Sequence, residues 1–271
     1  FNTFDMDEAK ARLAGGYFAA GRDEWALKWA SAAAKSSNKY LPIAHWTAGL
    51  AAWRLRRFDI AASHFESMNK GNGLSPWIQS AAAFWAARSN LVNRKPEKVM
   101  PLLKQAATHQ RTFYGMLASR ILGRPVAFNW TTPPMDPETL GMLNASKTGK
   151  RVLALLQVGQ DRRAERELRG FAGRSKRNEL PGILALASRV DMPALTVRIN
   201  GLLYPNGGGF DGAAYPVPHW RPKGGFNVDR ALIYALIRQE SGFKPKAKSG
   251  AGARGLMQIM PRTASFIAQD R

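Results

Sequence analysis

The chain has 271 residues and a hydrophobic content of 45%, enough to bury a core in one large domain or two ordinary ones. It contains no cysteine, which excludes disulfides and thiolate metal sites, and no apolar run approaches the roughly 18 residues of a membrane span. Forty basic against 19 acidic residues give a net charge of +21, which predicts polyanionic partners or simply a solvated basic surface. The first residue, Phe1, is not an initiator methionine, and no signal pattern follows it. We therefore expect a removed signal sequence or a start inside a longer gene product.

The first 130 residues predict stacked pairs of helices. An aromatic residue on the first helix of a pair, and a small residue before a large one on the second, recur after 31 to 35 residues. The spacing drifts and the third unit inserts Pro96 before Val99, so the pattern predicts an irregular tetratricopeptide-like helical solenoid. Such units bury their apolar faces only on neighbouring units, so several must stack. The corresponding positions are Phe18, Gly21, Ala26 and Ala30 with Trp53, Arg56, Ala61 and Phe65, and Trp46 and Trp53 with Trp77 and Phe84.

Residues 131–203 predict further helices in a second, linker-like domain. Four prolines between residues 125 and 139 interrupt the helical periodicity, which resumes at Val152. Residues 204–226 are rich in glycine and proline, and they predict a loop boundary before a third domain over residues 227–271. Strand patterns are almost absent along the chain, so the expected fold class is all-α.

The third predicted domain carries a candidate catalytic carboxylate. Ile233, Leu236 and Ile237 lie at helical spacing, and Glu240 extends their stripe in the last turn before a glycine and a proline. On this pattern Glu240 belongs to the apolar face, where desolvation and the negative end of the helix dipole both favour the protonated acid. A carboxylic acid that stays protonated near neutral pH can act as a general acid. The alternative is a glutamate that ends the helix and faces solvent.

A second motif begins fifteen residues after Glu240, and the two motifs together resemble those of a known family. Residues 238–263 resemble the soluble lytic transglycosylases, whose first motif is matched by Glu240 and Ser241. Tyr215 and Pro216 resemble the segment that precedes this motif in the family, and the helical repeats resemble those of its larger members. The second motif is matched by Gly255, Leu256, Met257 and Gln258.

The resemblance implies a goose-lysozyme-like α domain that cleaves bacterial cell-wall glycan. Glu240 would be the single acid/base, while Ser241 and the second motif would bind the substrate. Glu240 would protonate the oxygen between N-acetylmuramic acid and N-acetylglucosamine, and a 1,6-anhydro ring would close on the muramoyl product without a metal or cofactor. The later motifs of the family have no counterpart before Arg271. We therefore expect an incomplete catalytic domain that binds peptidoglycan strands but barely cleaves them when tested alone.

The same resemblance implies a periplasmic location, no transmembrane segment and peptidoglycan glycan strands as the partner. The helical repeats are candidate sites for cell-wall protein partners. Two other functions remain open: a hydrolytic lysozyme of related fold, which differs in its product, and a non-enzymatic scaffold that binds cell-wall polymer or proteins. We do not expect nucleic acid as a partner, because only the net charge favours it and an acidic cell-wall polymer satisfies the same charge.

Other motifs lack the context that their chemistry requires. Residues 250–255 fit the pattern GxGxxG, but no βαβ unit surrounds them. Residues 141–148 approach a phosphate-binding loop, but Ser146 occupies the second glycine position. The four histidines lack the spacing of metal ligands, so we expect no metal site. Of these, His45 and His64 are predicted to be packing or surface residues of the repeat helices.

Overall fold

A computed structural model describes residues 2–37, 40–71, 73–205 and 207–269 of the chain. Within these ranges the regular structure is helical, and the only strand-like features are two isolated β-bridges near the end of the chain. The predicted all-α class is therefore confirmed. The chain forms two compact units, Phe1–Ala127 and Phe128–Arg271. The finer division of the second unit at residues 204 and 227 stays a prediction.

The first unit is a solenoid in which each helix packs against its neighbours along the chain. Pairs of antiparallel helices joined by short turns follow one another, as the 31- to 35-residue recurrence predicted, so the predicted helical solenoid is confirmed. Proline begins three of the helices, where its missing N–H leaves no hydrogen bond unmade. The helices are α1 (Thr3–Ala19), α2 (Asp23–Ser37), α3 (Pro42–Arg54), α4 (Phe58–Asn69), α5 (Pro76–Val92), α6 (Pro96–Ala107) and α7 (Phe113–Ile121).

The second unit continues with shorter helices. Its main core joins the helices of residues 137–203 and contains large side chains with no exposed surface, among them Leu143, Leu168 and Ile183. The segment that the sequence marked as a loop boundary includes one short helix. The helices are α8 (Pro137–Ala145), α9 (Lys147–Gln157), α10 (Asp161–Ala172), α11 (Leu180–Arg189), α12 (Pro193–Leu203), α13 (Asp211–Ala214), α14 (Arg230–Ser241) and α15 (Pro261–Ala268).

In the part of the chain that the structure describes, one type of turn recurs within five of the helix pairs. The turn residue has a left-handed backbone (φ between 53° and 74°), and the next helix begins two residues later. The residue after it donates its N–H to the carbonyl five residues earlier, at 2.8 to 3.0 Å, which is the Schellman closure of a helix. This shared geometry explains why Gly21 and Arg56 occupy equivalent places in the repeat. The turn residues are Gly21, Arg56, Arg94, Gly159 and Asp191.

Small residues let the helices of the first unit approach closely, and aromatic rings fill the space between layers. Phe65 is fully buried, and its ring stacks on Trp85 at a centroid distance of 5.7 Å and meets Trp46 edge-on at 5.8 Å. A Cβ atom on Gly49 would lie 2.6 Å from the Phe65 ring, so the contact between α3 and α4 requires glycine there. Alanines with no exposed surface complete this core: Ala14, Ala26, Ala30, Ala48, Ala51, Ala52, Ala61 and Ala86.

Two histidines of the repeat helices meet inside the first unit. The Nδ1 atoms of His45 and His64 lie 3.1 Å apart, and His64 Nε2 lies 3.0 Å from Ser31 Oγ. Burial lowers the pKa of both imidazoles; for His64, burial and the neighbouring His45 lower the pKa to about 4. The pair is therefore neutral near pH 7 and joins three successive helices, as the packing interpretation predicted.

Candidate active site

Helix α14 buries a different face from the one that the sequence predicted. Its buried residues are Tyr234, Ile237 and Ser241, whereas Leu236 keeps 41% of its surface exposed and Glu240 is exposed. The predicted placement of Glu240 on the buried apolar face is therefore wrong. The buried face differs from the predicted one because Tyr234, a larger apolar group than Leu236, lies at its centre.

The side-chain hydroxyls on the buried face of α14 have hydrogen-bond partners, which allows this face to be buried. The Tyr234 hydroxyl donates to the carbonyl of Pro218 at 2.9 Å, and burial raises the pKa of this phenol, so it stays a neutral donor. The Ser241 hydroxyl donates to the carbonyl of Ile237 at 3.1 Å, one helical turn back. Both hydroxyls can be buried because neither loses its hydrogen bond.

An aromatic cluster fixes the end of α14 and the turn that follows Glu240. Gly242 and Phe243 both have left-handed backbones (φ 56° and 63°), a conformation that is uncommon for a bulky residue such as phenylalanine. The Phe243 side chain is 1% exposed and packs against Trp220 and Tyr234, at centroid distances of 6.0 and 6.3 Å. Burial of the Phe243 ring stabilises the strained turn at residues 242 and 243. This turn determines where the helix ends beside Glu240.

Arg238 ties α14 to the segment that precedes it. Its Nε donates to the carbonyl of Ala214 at 2.8 Å, and its guanidinium lies over the ring of Tyr215 at 4.5 Å from the centroid. Tyr215 and Pro216 were the upstream residues of the family resemblance. Their position is therefore coupled to α14 through Arg238, which lies two residues before Glu240.

The second motif forms a compact turn held by its own backbone. Arg254 and Ile259 pair through two hydrogen bonds of 3.0 and 3.1 Å, and the Gly255 N–H donates to the carbonyl of Ala247 at 2.9 Å. Gly255 and Gln258 both have positive φ (78° and 49°), and Gln258 Nε2 donates to the carbonyl of Gly255 at 2.9 Å. The glycine thus permits the turn and the glutamine side chain closes it.

Leu256 packs the turn of residues 255–258 against α14. Its partly buried side chain packs against the cluster of Tyr234, Ile237 and Phe243, while its neighbour Met257 is 39% exposed. The two predicted motifs are thus joined through Leu256 rather than through direct bonds between their polar groups. Glu240 forms no hydrogen bond or ion pair with any residue in the described part of the chain.

Apolar surface remains exposed on α14 and on α15. Leu232 and Leu236, two turns and one turn before Glu240 on the same side of α14, are 54% and 41% exposed. No residue of α15 is buried, and its Phe266 is 84% exposed. The side of α14 that carries Glu240 is therefore an open surface on which exposed leucines adjoin a carboxylate.

The charges around the site are strongly unbalanced. Nine basic and two acidic residues lie between positions 221 and 269, and none of them forms an ion pair with a described carboxylate or cation. Such a field attracts anions, and it attracts them less at high ionic strength. The described residues contain no group of three metal-ligating side chains.

None of the helices in the described part of the chain has both the length and the apolarity to cross a bilayer.

Sequence reasoning missed the residues that position the site. Trp220, Tyr234, Arg238 and Phe243 hold α14 and its terminal turn, but none of them was predicted as a site residue. The sequence contains a signal for one of them, because Tyr234 and Ile237 are three residues apart and Ser241 follows four residues later. That spacing competes with the stripe of Ile233, Leu236 and Ile237, and only packing decides between them.

Comparisons with known proteins agree with the predicted resemblance, which is confirmed. Residues 221–270 match the family model "Transglycosylase SLT domain". The soluble lytic murein transglycosylase of Escherichia coli K12 is 28% identical over 188 residues, which cover 69% of this chain and 29% of that protein. The putative soluble lytic murein transglycosylase of Haemophilus influenzae is 46% identical over 44 residues, which cover 16% of this chain and 7% of that protein.

The fold is also that of a solved transglycosylase. An inactive glutamate-to-glutamine mutant of the lytic transglycosylase Slt from Pseudomonas aeruginosa superposes with a TM-score of 0.72 at 23% identity, over 99% of this chain and 43% of that one. This likeness concerns the fold. The chain spans less than a third of the length of the first E. coli relative.

Proposed function

We propose that this chain takes part in peptidoglycan cleavage as a lytic transglycosylase, with Glu240 as the single acid/base. The observation that carries the proposal is an unpaired carboxylate in the last turn of α14. Leu256 packs the Gly255–Gln258 turn against the same helix. Both lie inside the segment that matches the transglycosylase family model. The inactive glutamate-to-glutamine mutant among the structural relatives agrees with one essential glutamate in this fold.

The proposed reaction moves one proton out and one proton back. Protonated Glu240 donates to the oxygen that joins N-acetylmuramic acid to N-acetylglucosamine, and the bond from that oxygen to the muramoyl C1 breaks. The substrate's own N-acetyl group stabilises the cationic carbon. The Glu240 carboxylate then removes the proton of the muramoyl C6 hydroxyl, whose oxygen bonds to C1 and closes a 1,6-anhydro ring. Glu240 ends protonated, and no water is consumed.

The contacts of the other predicted site residues support different proposed roles for them. Ser241 uses its hydroxyl proton on the Ile237 carbonyl, so toward substrate it offers lone pairs only. Gly255 supplies the left-handed turn and Leu256 fastens it to α14, so both act by positioning. Exposed Met257 offers an apolar contact to a sugar face, and Gln258 keeps its carbonyl oxygen as an acceptor.

Glu240 needs a drier environment for this chemistry than the described residues provide. Proton transfer to the glycan is favoured where water is excluded from the site, whereas Glu240 is exposed on an open face. We infer that the bound glycan, together with protein that covers the face of Leu232 and Leu236, supplies this exclusion. The 271-residue chain alone should accordingly bind peptidoglycan and cleave it poorly, since misplacement by about 1 Å can lower a rate about 10²-fold.

The location and the further partners belong to the same proposal. A periplasmic location agrees with relatives described as soluble lytic murein transglycosylases. Cell-wall proteins are the proposed partners of the solenoid, whose exposed large residues include Trp25, Tyr40 and Trp77. A scaffold without catalysis is the competing function, and the exposed position of Glu240 is the observation that favours it.

Product analysis separates these functions. Sacculi are digested with the longest natural form of the protein that carries these residues, and the soluble muropeptides are weighed by mass spectrometry. We expect muramoyl products one water lighter than those that a hydrolytic lysozyme releases from the same sacculi. Products with ordinary reducing ends would make the protein a hydrolase, and the absence of any soluble product in every natural form would leave the scaffold.

A further inference from the structure

A basic cleft lies in the second unit, outside the turn and helix assigned to catalysis. It has a volume of about 440 Å³ and is formed by one side of α10 and the loop that follows Phe243. Apolar side chains of Ala194, Pro245 and Ala247 form part of its lining. The charged side chains that line it are Arg162, Glu165, Arg166, Arg169, Lys244 and Lys246.

Among the described residues, five cations and one carboxylate line the cleft, and that carboxylate is already neutralised. Glu165 Oε1 lies 2.5 Å from Arg169 Nη2, in an i, i+4 pair along α10. The other four cations form no ion pair with any carboxylate that the structure describes. The lining therefore carries about four uncompensated positive charges, which repel one another while the cleft is empty.

The local sequence explains why these charges converge. Arg162, Arg166 and Arg169 have i, i+4 and i+7 spacing and share one face of α10, while Ala164 and Leu168 bury the opposite face in the core. Lys244 and Lys246 flank Pro245 in the loop, whose start is fixed by the buried Phe243. The same turn that ends α14 thus delivers two lysines to the arginine face of α10.

No intramolecular role is evident for this arrangement. Like charges on one helix face destabilise the fold by a few tenths of a kcal/mol for each pair. Cations that converge in a cleft partly lined by apolar residues are suited to an anionic ligand, which they bind with charge-assisted hydrogen bonds. Guanidinium groups can hold carboxylates through two parallel hydrogen bonds, and the lysines add mobile point charges.

We propose that this cleft binds carboxylates of the peptide part of peptidoglycan, beside the glycan strand that Glu240 acts on. This inference rests on the proposed function. Lys244 is only four residues after Glu240, so a ligand in the cleft lies near the polymer at the catalytic helix. A concave site of this volume fits a short segment of peptide, whereas binding to duplex nucleic acid distributes cations along a backbone of phosphates.

The test compares two variants that lose the same charge. The cleft variant combines Arg162→Gln, Arg166→Gln, Lys244→Gln and Lys246→Gln. The control variant combines Lys35→Gln, Lys104→Gln, Arg120→Gln and Arg124→Gln, four exposed positions of the first unit. Binding of the 271-residue chain is measured to intact sacculi, to glycan strands freed of peptide by an amidase, and to duplex DNA, each across a salt series. Thermal melts show that both variants fold.

We expect the cleft variant to bind intact sacculi at least about 10-fold more weakly than the control at low salt, since exposed ion pairs change affinity about 2- to 5-fold each. Binding to peptide-free strands should be equal for the two variants. A smaller pair, Arg166→Gln against Arg163→Gln on the same helix, should show the same order, because Arg163 does not line the cleft.

Each other outcome overturns the inference in a recognisable way. Equal binding of the two variants to intact sacculi would exclude the cleft as a peptide site while leaving the proposed glycan cleavage intact. A cleft variant that loses only DNA binding would assign the cleft to phosphates. Failure of the unmodified chain to bind either intact sacculi or peptide-free strands would overturn both this inference and the proposed function.

Discussion

The solenoid of the first unit and the segment around α14 bury their apolar surface in opposite ways. In the core of the solenoid, alanines and the Phe65 ring are covered on all sides, because each helix pair supplies the surface that its neighbour needs. Helix α14 is covered on one side by Trp220, Phe226 and Phe243, while Leu232 and Leu236 stay exposed. The core of the solenoid is thus closed to solvent, whereas the open side of α14 coincides with the residues proposed to bind and cleave glycan.

This comparison predicts that Glu240 matters for activity and not for stability. Glu240→Gln in the longest natural form should lower turnover by a factor on the order of 10² to 10⁴, because the amide cannot shuttle a proton. The free energy of unfolding should change by less than about 0.5 kcal/mol, since the side chain is exposed and unpaired. Muropeptide release and urea unfolding measure the two quantities. Glu138→Gln, an exposed carboxylate of α8, is the control; if the two variants release product equally, Glu240 is not the acid/base.

Truncation of apolar side chains should separate the two regions clearly. Phe65→Ala is expected to lower the free energy of unfolding by about 3 to 5 kcal/mol, because its ring is fully buried between helices. Leu236→Ala should lower it by less than about 0.5 kcal/mol, whereas Ile237→Ala, on the buried face of α14, should lower it by about 2 to 4 kcal/mol. Urea denaturation followed by circular dichroism gives all three values. A larger loss for Leu236 than for Ile237 would contradict the observed rotation of α14.

Acid should weaken the solenoid through its buried histidine pair. The pKa of His64 in the folded chain is about 4, below its ordinary value, so the unfolded chain binds more protons between pH 6.5 and 4. Stability is therefore fully present above pH 6.5 and declines as the pH falls toward 4, by about 2 to 3 kcal/mol for this residue.

The pH dependence has a matched control. Thermal melts between pH 7 and 4.5 should show a smaller acid shift for His64→Gln than for the unmodified chain. His109→Gln, which leaves the buried pair in place, should keep the full shift. An unchanged slope in His64→Gln would assign the acid sensitivity to other groups. The Asp7 carboxylate titrates in a separate window, because its hydrogen bonds with Ser36, Lys10 and Ser37 lower its pKa to about 2.

Substitutions at the recurrent turn should change the stability of the chain least. Arg94 has a left-handed backbone, an exposed side chain and no ion pair with a described residue, so Arg94→Gly should stabilise the first unit by about 0.5 to 1 kcal/mol. Gly21→Ala, at the equivalent turn, should destabilise it by a similar amount. Thermal melts of both variants check the signs. Destabilisation by both substitutions would show that Arg94 contributes through its side chain rather than its backbone.

The sequence by itself determined the helical class, the solenoid and the two motifs around Glu240. These features depend on local periodicity, on turn residues and on residue types at fixed spacing, all of which are written along the chain. The echo of Gly21 in Arg56 was readable for the same reason, because both occupy the same position of a closed helical turn.

Only the tertiary structure decided which face of α14 is buried and which residues converge on the basic cleft. Two overlapping stripes, one through Leu236 and one through Tyr234, fit the same helical period, and the packing of Trp220 and Phe243 selected the second. The cleft joins arginines of α10 to lysines some 80 residues later in the chain. Such choices depend on which surfaces fit together in space, and spacing along a single chain does not contain that information.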